Sequence, residues 1–209
     1  ESLSSFGAMD AQAWEAIIPN MGYMALLRNL RNFDEAGISD KAANAVIARL
    51  TDPEEVARSR QLPFRFYSAY RNVNSDRWLH PLGQALDLSI QNIPQLGGSS
   101  LILVDTSGSM AGFGYSAKST ITPLAQAALF GAALTKSGQD VTVRVFANYT
   151  KDFVFPKGTS VMKATDTLVK SAGDVGHGTE IGAALNTWNG EDRVFILTDM
   201  QTRGYVLCV

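Results

Sequence analysis

Five oxygen-bearing side chains, Asp105, Ser107, Ser109, Thr179 and Asp199, stand where one cation could draw on all of them. The first three alternate in Val104-Asp105-Thr106-Ser107-Gly108-Ser109-Met110, and a sharp turn at Gly108 would gather their oxygens around one point. One carboxylate and two hydroxyls make a hard, all-oxygen set, which suits Mg²⁺, with Mn²⁺ or Ca²⁺ as competitors. A second carboxylate, Asp199, ends Leu197-Thr198-Asp199, and Gly176-His177-Gly178-Thr179-Glu180 adds the Thr179 hydroxyl just ahead of a helical segment. An isolated D-x-S-x-S is as readily a polar turn capping a helix. Two further oxygen donors on separate loops tip the reading towards a metal centre.

Other candidates carry less. His177 reads as a sixth ligand or a general base, but a loop histidine among glycines is more commonly solvated. His80, ahead of Pro81, reads as a packing or capping residue, and Asp174 and Glu180 as loop and helix-start acids, Glu180 with a place in a second layer around the ion. Tyr115 and Lys118 are placed to flank an open ligand position or to be ordinary loop residues. No catalytic apparatus accompanies the set. A haloacid-dehalogenase-type phosphatase needs a second Asp two residues after the first, and that position is Ser107. There is no nucleophile elbow, Ser-His-Asp order, Cys-His pair or G-x-x-x-x-G-K-[ST] loop. The expectation is a protein that binds rather than an enzyme.

The elements that must position these groups follow from hydrophobic rhythm. Ser100-Leu101-Ile102-Leu103-Val104 is a continuous apolar run, as in a strand buried on both faces. A helix from about Thr122 to Lys136, a strand Val141–Phe146, a shorter edge strand Asp152–Phe155, helices Val161–Lys170 and Ile181–Trp188, and a strand Arg193–Leu197 complete the pattern. Strands alternating with helices imply a doubly wound, mainly parallel sheet, in which ligands sit at the carboxyl ends of the strands. Both the Asp105 and the Asp199 loops lie there. The spacing resembles the metal-ion-dependent adhesion site of von Willebrand factor A domains, over about Ser99 to Asp199. That resemblance implies direct ligation by Ser107 and Ser109, ligation by Thr179 directly or through water, and roles through water for Asp105 and Asp199. It also implies one open position for an acidic group of a partner protein. Ten residues follow Asp199, too few for the final helix and strand that such domains usually carry, so Tyr205-Val206-Leu207-Cys208-Val209 reads either as that final strand arriving directly or as the end of an incomplete sequence.

Ahead of the breaker cluster Pro94-Gln95-Leu96-Gly97-Gly98 the rhythm is helical. Leu26, Leu27, Leu30 and Phe33 form one stripe, which Gly37 ends. A second helix starts at Ser39 or Asp40, Asp52-Pro53-Glu54-Glu55 opens a third, Pro63 a fourth, and Asp76 to Ile93 supplies a fifth, interrupted by Pro81. Short antiparallel helices suggest part of a repeat array, so the chain divides into a helical region 1–96 and a sheet domain 99–209. Apolar residues, at 45%, suffice for a core in each. Nine basic and 11 acidic residues precede Gly97 and nine of each follow Gly98, so bulk charge gives no support to nucleic-acid binding and a local patch must carry it. One cysteine, Cys208, excludes an internal disulfide, and no apolar run approaches the ~18 residues of a membrane span. A cytoplasmic protein that contacts no membrane is expected.

The local patch is Arg58 to Trp78, where Arg58, Arg60, Arg65, Arg71 and Arg77 face a single acid, Asp76, with Phe64, Phe66, Tyr67, Tyr70 and Trp78 interleaved. Arginine forks pair with phosphates and aromatic faces stack on unpaired bases, although at helical spacing most such aromatics are core. Gly22 to Phe33 and Leu62-Pro63-Phe64-Arg65-Phe66-Tyr67-Ser68-Ala69-Tyr70 resemble the last helices of the TROVE module of Ro ribonucleoprotein autoantigens, where helical repeats run into a von Willebrand A-like domain. The resemblance implies HEAT-like repeats that bind small non-coding Y-type RNAs, a central hole for single-stranded ends of misfolded RNAs, and RNA quality control, in bacteria together with an exoribonuclease. A complete ring needs more helices than Asp10 to Ile93 provide. Arg28, Arg31, Arg65 and Arg71, in the matching helices, are the expected RNA contacts. The competing expectations are a Mg²⁺-dependent protein-binding module without RNA and, behind it, a metal-dependent hydrolase.

Overall fold

The computed structural model describes residues 9–112 and 121–201. Tyr115, Lys118 and the tail from Tyr205 to Val209 lie outside the described residues. Two compact units divide the chain, Glu1–Asn92 and Ile93–Val209. The break falls a few residues before the glycine pair because Gln139 ties the connector to the second unit: the Leu96 N–H donates to Gln139 Oε1 at 3.2 Å, and Gln139 Nε2 donates to Pro94 O at 3.3 Å.

The first unit is helical among its described residues: α1 (Ala11–Ile17), α2 (Tyr23–Ala36), α3 (Asp40–Leu50), α4 (Pro53–Ser59), α5 (Pro63–Asn72) and α6 (Leu79–Leu88). The starts are written in the caps. Asp10, Ser39 and Asp52 each accept the N–H three residues on, closing α1, α3 and α4. Gly37 ends α2 at φ 70°, where Ile38 N–H reaches back to Phe33 O at 3.2 Å, a turn in which a β-carbon is costly. The stripe Leu26, Leu27, Leu30 and Phe33 is buried as expected, each Leu or Phe side chain contributing about 1.5–3 kcal/mol. Asp76 to Ile93 is not one helix. A 3₁₀ turn at Asp76–Trp78 leads into α6, and a second at Ser89–Asn92 ends it. Pro81 does not interrupt α6, because it lies in the first turn, where N–H groups have no partner within the helix.

The second unit carries β1 (Ser100–Asp105), α7 (Pro123–Lys136), β2 (Val141–Phe146), β3 (Thr150–Asp152), α8 (Val161–Lys170), α9 (Ile181–Leu185) and β4 (Arg193–Leu197). The sheet order is β3-β2-β1-β4, with β1 parallel to both β2 and β4, and β3 antiparallel on the β2 edge. Every residue of β1 is buried, as a central parallel strand requires. Its odd positions Leu101 and Leu103 pack with Phe146, Ile181, Ala184, Val194 and Ile196 under α9. On the other face α7 and α8 pack together, and the small Gly131 of α7 lets it approach Val143. Helices on both faces make the sheet doubly wound. Two elements differ from expectation. The edge strand pairs through Thr150–Asp152 rather than Asp152–Phe155, because a tight turn at Ala147–Tyr149 brings the chain back early, leaving Phe153 and Phe155 to pack edge-on at 5.1 Å. α9 stops at Leu185, and Thr187 and Trp188 form a turn instead. No described helix is long and apolar enough to cross a membrane.

Candidate functional site

The parallel register places Val104 opposite Leu197, so the chain leaves β1 and β4 side by side, at Asp105 and Thr198. Asp105 is fully buried and both its oxygens are occupied. Oδ1 accepts the Ser107 N–H at 2.8 Å, which turns the loop back on itself, and Oδ2 accepts the Thr198 hydroxyl at 2.6 Å. The turn brings Ser107 Oγ to 3.3 Å from Ser109 Oγ. Adjacent ligands of a Mg²⁺ octahedron with bonds of about 2.1 Å lie about 3.0 Å apart, so the two hydroxyls fit one edge of such a shell with little adjustment. Thr179, 4% exposed, lines a cavity of about 540 Å³ together with Ser109, Asn148, His177 and Gln201. The His177 carbonyl accepts the Gly108 N–H at 3.3 Å, joining the two loops. Asp199 lies one residue beyond Thr198, its Oδ1 accepting the Gln201 N–H at 3.3 Å.

Four of the expected donors are thus drawn together by direct bonds or a shared cavity: Asp105, Ser107, Ser109 and Thr179. Asp199 is brought to the same strand end through its neighbour Thr198. Among the described residues no three His, Cys, Asp or Glu side chains form a metal-binding group. The donor set here is different in kind, with the Ser109 and Thr179 side chains lining the cavity and the buried Asp105 carboxylate two residues before Ser107, and it suits a hard cation that keeps some of its water. His177 is exposed at the cavity rim, Asp174 uses its carbonyl to accept the Tyr149 hydroxyl at 2.8 Å, and Glu180 is exposed ahead of α9. His80 is exposed on α6 rather than packed. Thr198 and Asn148 were not anticipated. Thr198 was visible as the polar residue inside Leu197-Thr198-Asp199, but its partner depended on strand register.

The helical unit resolves the arginine–aromatic stretch into two populations. Phe66, Tyr67 and Trp78 are core, so they offer no face to a base, while Phe64 is 40% exposed. Arg77 is also structural: its Nε lies 3.3 Å from Asp34 Oδ1, and Trp78 Nε1 donates to Asp34 Oδ2 at 2.9 Å. Arg28 and Arg31 on α2 and Arg65 on α5 line one groove of about 350 Å³ between the two helices, with Ser68 and Asn72 beside them. Arg31 pairs with Glu35 at 3.3 Å, but both side chains are more than half exposed, so the pair is weak and exchangeable. Arg71 is exposed and stays outside the groove, because six residues after Arg65 the helix has turned about 120° away from it. The burial that separates these groups also acts on Tyr23, whose phenol is raised above its ordinary value first by desolvation and then by Glu55 and Asp52, and donates to Leu50 O at 2.8 Å.

Comparison with known proteins follows this division. A crystal structure of the Ro (RSR) protein of Deinococcus radiodurans superposes with a TM-score of 0.78 at 21% identity, covering 94% of this chain and 43% of that one. This chain therefore shares its fold, helical segment followed by mixed sheet. Telomerase protein component 1 of Mus musculus is 41% identical over 66 residues, 31% of this chain and 2% of the relative, and that of Rattus norvegicus matches to the same extent. The chain thus spans a small part of these relatives and under half of the solved structure. The family model of the TROVE domain matches residues 1–92, the span of the helical unit.

Proposed function

We propose that this chain is part of an RNA-binding ribonucleoprotein component, and that the groove between α2 and α5 holds the sugar–phosphate backbone of single-stranded RNA. The observation that carries this is the convergence of Arg28, Arg31 and Arg65 from two helices on one groove of the TROVE-matched unit. Among the described residues neither Arg28 nor Arg65 is tied up by a carboxylate. Three guanidinium groups around a groove with amide and hydroxyl side chains suit a run of phosphates, and give affinity with little sequence preference. The finer reading is binding of small Y-type RNAs and of misfolded RNAs in cytoplasmic RNA quality control, with an exoribonuclease as partner. Nothing in the site attacks the RNA, so the role is to hold it.

The oxygen cluster at the ends of β1 and β4 is read, within the same proposal, as a Mg²⁺ centre held by Asp105, Ser107, Ser109, Thr179 and Asp199, with Mn²⁺ or Ca²⁺ as substitutes. A bound ion would supply a Lewis-acidic position for an acidic group of a partner protein. A module that uses this centre for protein binding and has no affinity for RNA is the second reading, favoured by the 3.3 Å Ser107–Ser109 spacing and independent of the groove. Titrating the chain with a structured RNA carrying a single-stranded 3′ tail, and with a blunt duplex, separates the two. Tighter binding of the tailed RNA, falling steeply with salt, is expected. No binding to either RNA at low salt would leave only the protein-binding module.

A further inference from the structure

Thr179 stands on a loop that a single side chain outside the donor set holds in place. Asn148, just beyond β2, accepts two backbone N–H groups at one oxygen: its Oδ1 lies 2.8 Å from the N of His177 and 2.8 Å from the N of Gly178. The neighbouring backbone completes a short zipper, with Asn148 N–H donating to Val175 O at 2.9 Å and Glu180 N–H donating to Ala147 O at 2.9 Å. The fit requires glycine at Gly176 and leaves little room at Gly178. At Gly176, φ +94°, a β-carbon would lie 2.7 Å from Asn148 Cγ, and at Gly178 one would lie 3.1 Å from Nδ2. From this anchored loop the His177 carbonyl reaches the Gly108 N–H, so Asn148 couples the Thr179 loop to the Ser107–Ser109 loop.

We propose that Asn148 is a positioning residue of the metal centre, one that orders the Gly176–Glu180 loop before any ion arrives. The inference rests on the metal-centre reading given above. Backbone bonds hold the two ends of this loop, at Val175 and Glu180, while the His177 and Gly178 N–H groups between them depend on the Asn148 oxygen. Without the amide oxygen, the His177 and Gly178 N–H groups turn to water and the segment leading into Thr179 loosens, so ion binding must first order it. Side chains that orient ligands from behind in this way typically change metal affinity by about 10–100-fold.

The test uses the full chain, Mn²⁺ alone as probe by calorimetry, and amide hydrogen exchange at His177 and Gly178 in the ion-free protein. Asn148→Ala is expected to weaken Mn²⁺ binding by about 10–100-fold and to speed exchange at those two amides, with unchanged helix content. Asn148→Asp keeps an acceptor oxygen at the same reach and is expected to restore slow exchange as well as affinity. The exchange readout separates that rescue from the effect of the added charge, since no ion is present. Wild-type Mn²⁺ affinity in Asn148→Ala, with or without faster exchange, overturns the role of Asn148 while leaving the metal centre standing. A wild-type chain that binds no Mn²⁺ overturns the metal centre itself, and the positioning role with it.

Discussion

Replacing Arg28, Arg31 and Arg65 together by Gln tests the RNA groove through salt dependence rather than through affinity alone. Each phosphate neutralised on a single strand contributes about 0.7 to the slope of log K against log salt, because condensed counterions are released on binding. Three contacts therefore account for about 2.1 of the wild-type slope, and about 1.4 if the Arg31–Glu35 pair at 3.3 Å survives in the complex. Between about 50 and 200 mM salt a slope of 2.1 corresponds to a loss of about 18-fold in affinity, and one of 1.4 to about sevenfold. The wild-type chain should lose that much more affinity than the triple variant across this interval. Fluorescence anisotropy with a labelled single-stranded oligonucleotide at several salt concentrations measures the difference directly. Arg71→Gln is the internal control, since Arg71 lies outside the groove. A triple variant with the wild-type slope, or an Arg71 variant that loses as much slope as one groove arginine, would refute the assignment of the backbone to this groove.

Three further outcomes follow from named contacts. Asp105→Asn keeps an oxygen for the Ser107 N–H but removes a buried charge beside the hydroxyls, and calorimetry should show Mg²⁺ affinity reduced by about tenfold or more with the fold intact; an unchanged affinity would sink the five-donor set. Asp34→Ala strips the Trp78 indole of its acceptor, leaves the two-thirds buried Arg77 guanidinium with only the exposed Asp40 carboxylate at 3.9 Å, and should cost about 2–4 kcal/mol in urea unfolding; a cost below about 1 kcal/mol would mean that Asp40 takes over the pairing. Asp192 is held below the ordinary carboxylate value of 3.8, first by the Ser99 backbone N–H and then by its hydroxyl. A depressed folded value means that this stabilisation is full above pH 3.8 and disappears as pH falls through the lower folded value. NMR titration should therefore find Asp192 among the later carboxyls to protonate, and Asp192→Asn should flatten the acid limb of the stability curve.

What the sequence made legible was short-range. The caps at Asp10, Ser39 and Asp52, the glycine stop at Gly37 and the alternation Asp105, Ser107, Ser109 all act within a few residues, and each took the form its local chemistry dictates. The arginine–aromatic stretch was legible only as composition. Its division into core and groove depends on which face of α5 meets α2, some 30 residues away, and helical periodicity alone fixes the faces without saying which one packs. That choice buried Phe66 and Tyr67, turned Arg65 towards Arg28 and Arg31, and left Arg71 outside.

The same distinction separates the five oxygen-bearing residues of the proposed metal centre, legible from spacing, from the groups that would support them. Thr198 meets Asp105 only because β1 and β4 pair in one register, across 93 residues of chain. A slip of one residue would turn Thr198 to the opposite face of the sheet and leave the buried carboxylate without its second partner. With both oxygens engaged, Asp105 is better placed to act as a fixed negative charge behind the hydroxyls than to bind an ion directly. Hydroxyls are weak ligands, so affinity in such a centre must come from charge set close by and from loops that need no ordering on binding. The buried carboxylate meets the first requirement and the glycine loop on Asn148 meets the second. Variants of Asp105 and Asn148 should accordingly lose ion affinity for different reasons, the first through charge and the second through order. Only the second should register as faster amide exchange in the protein without its ion.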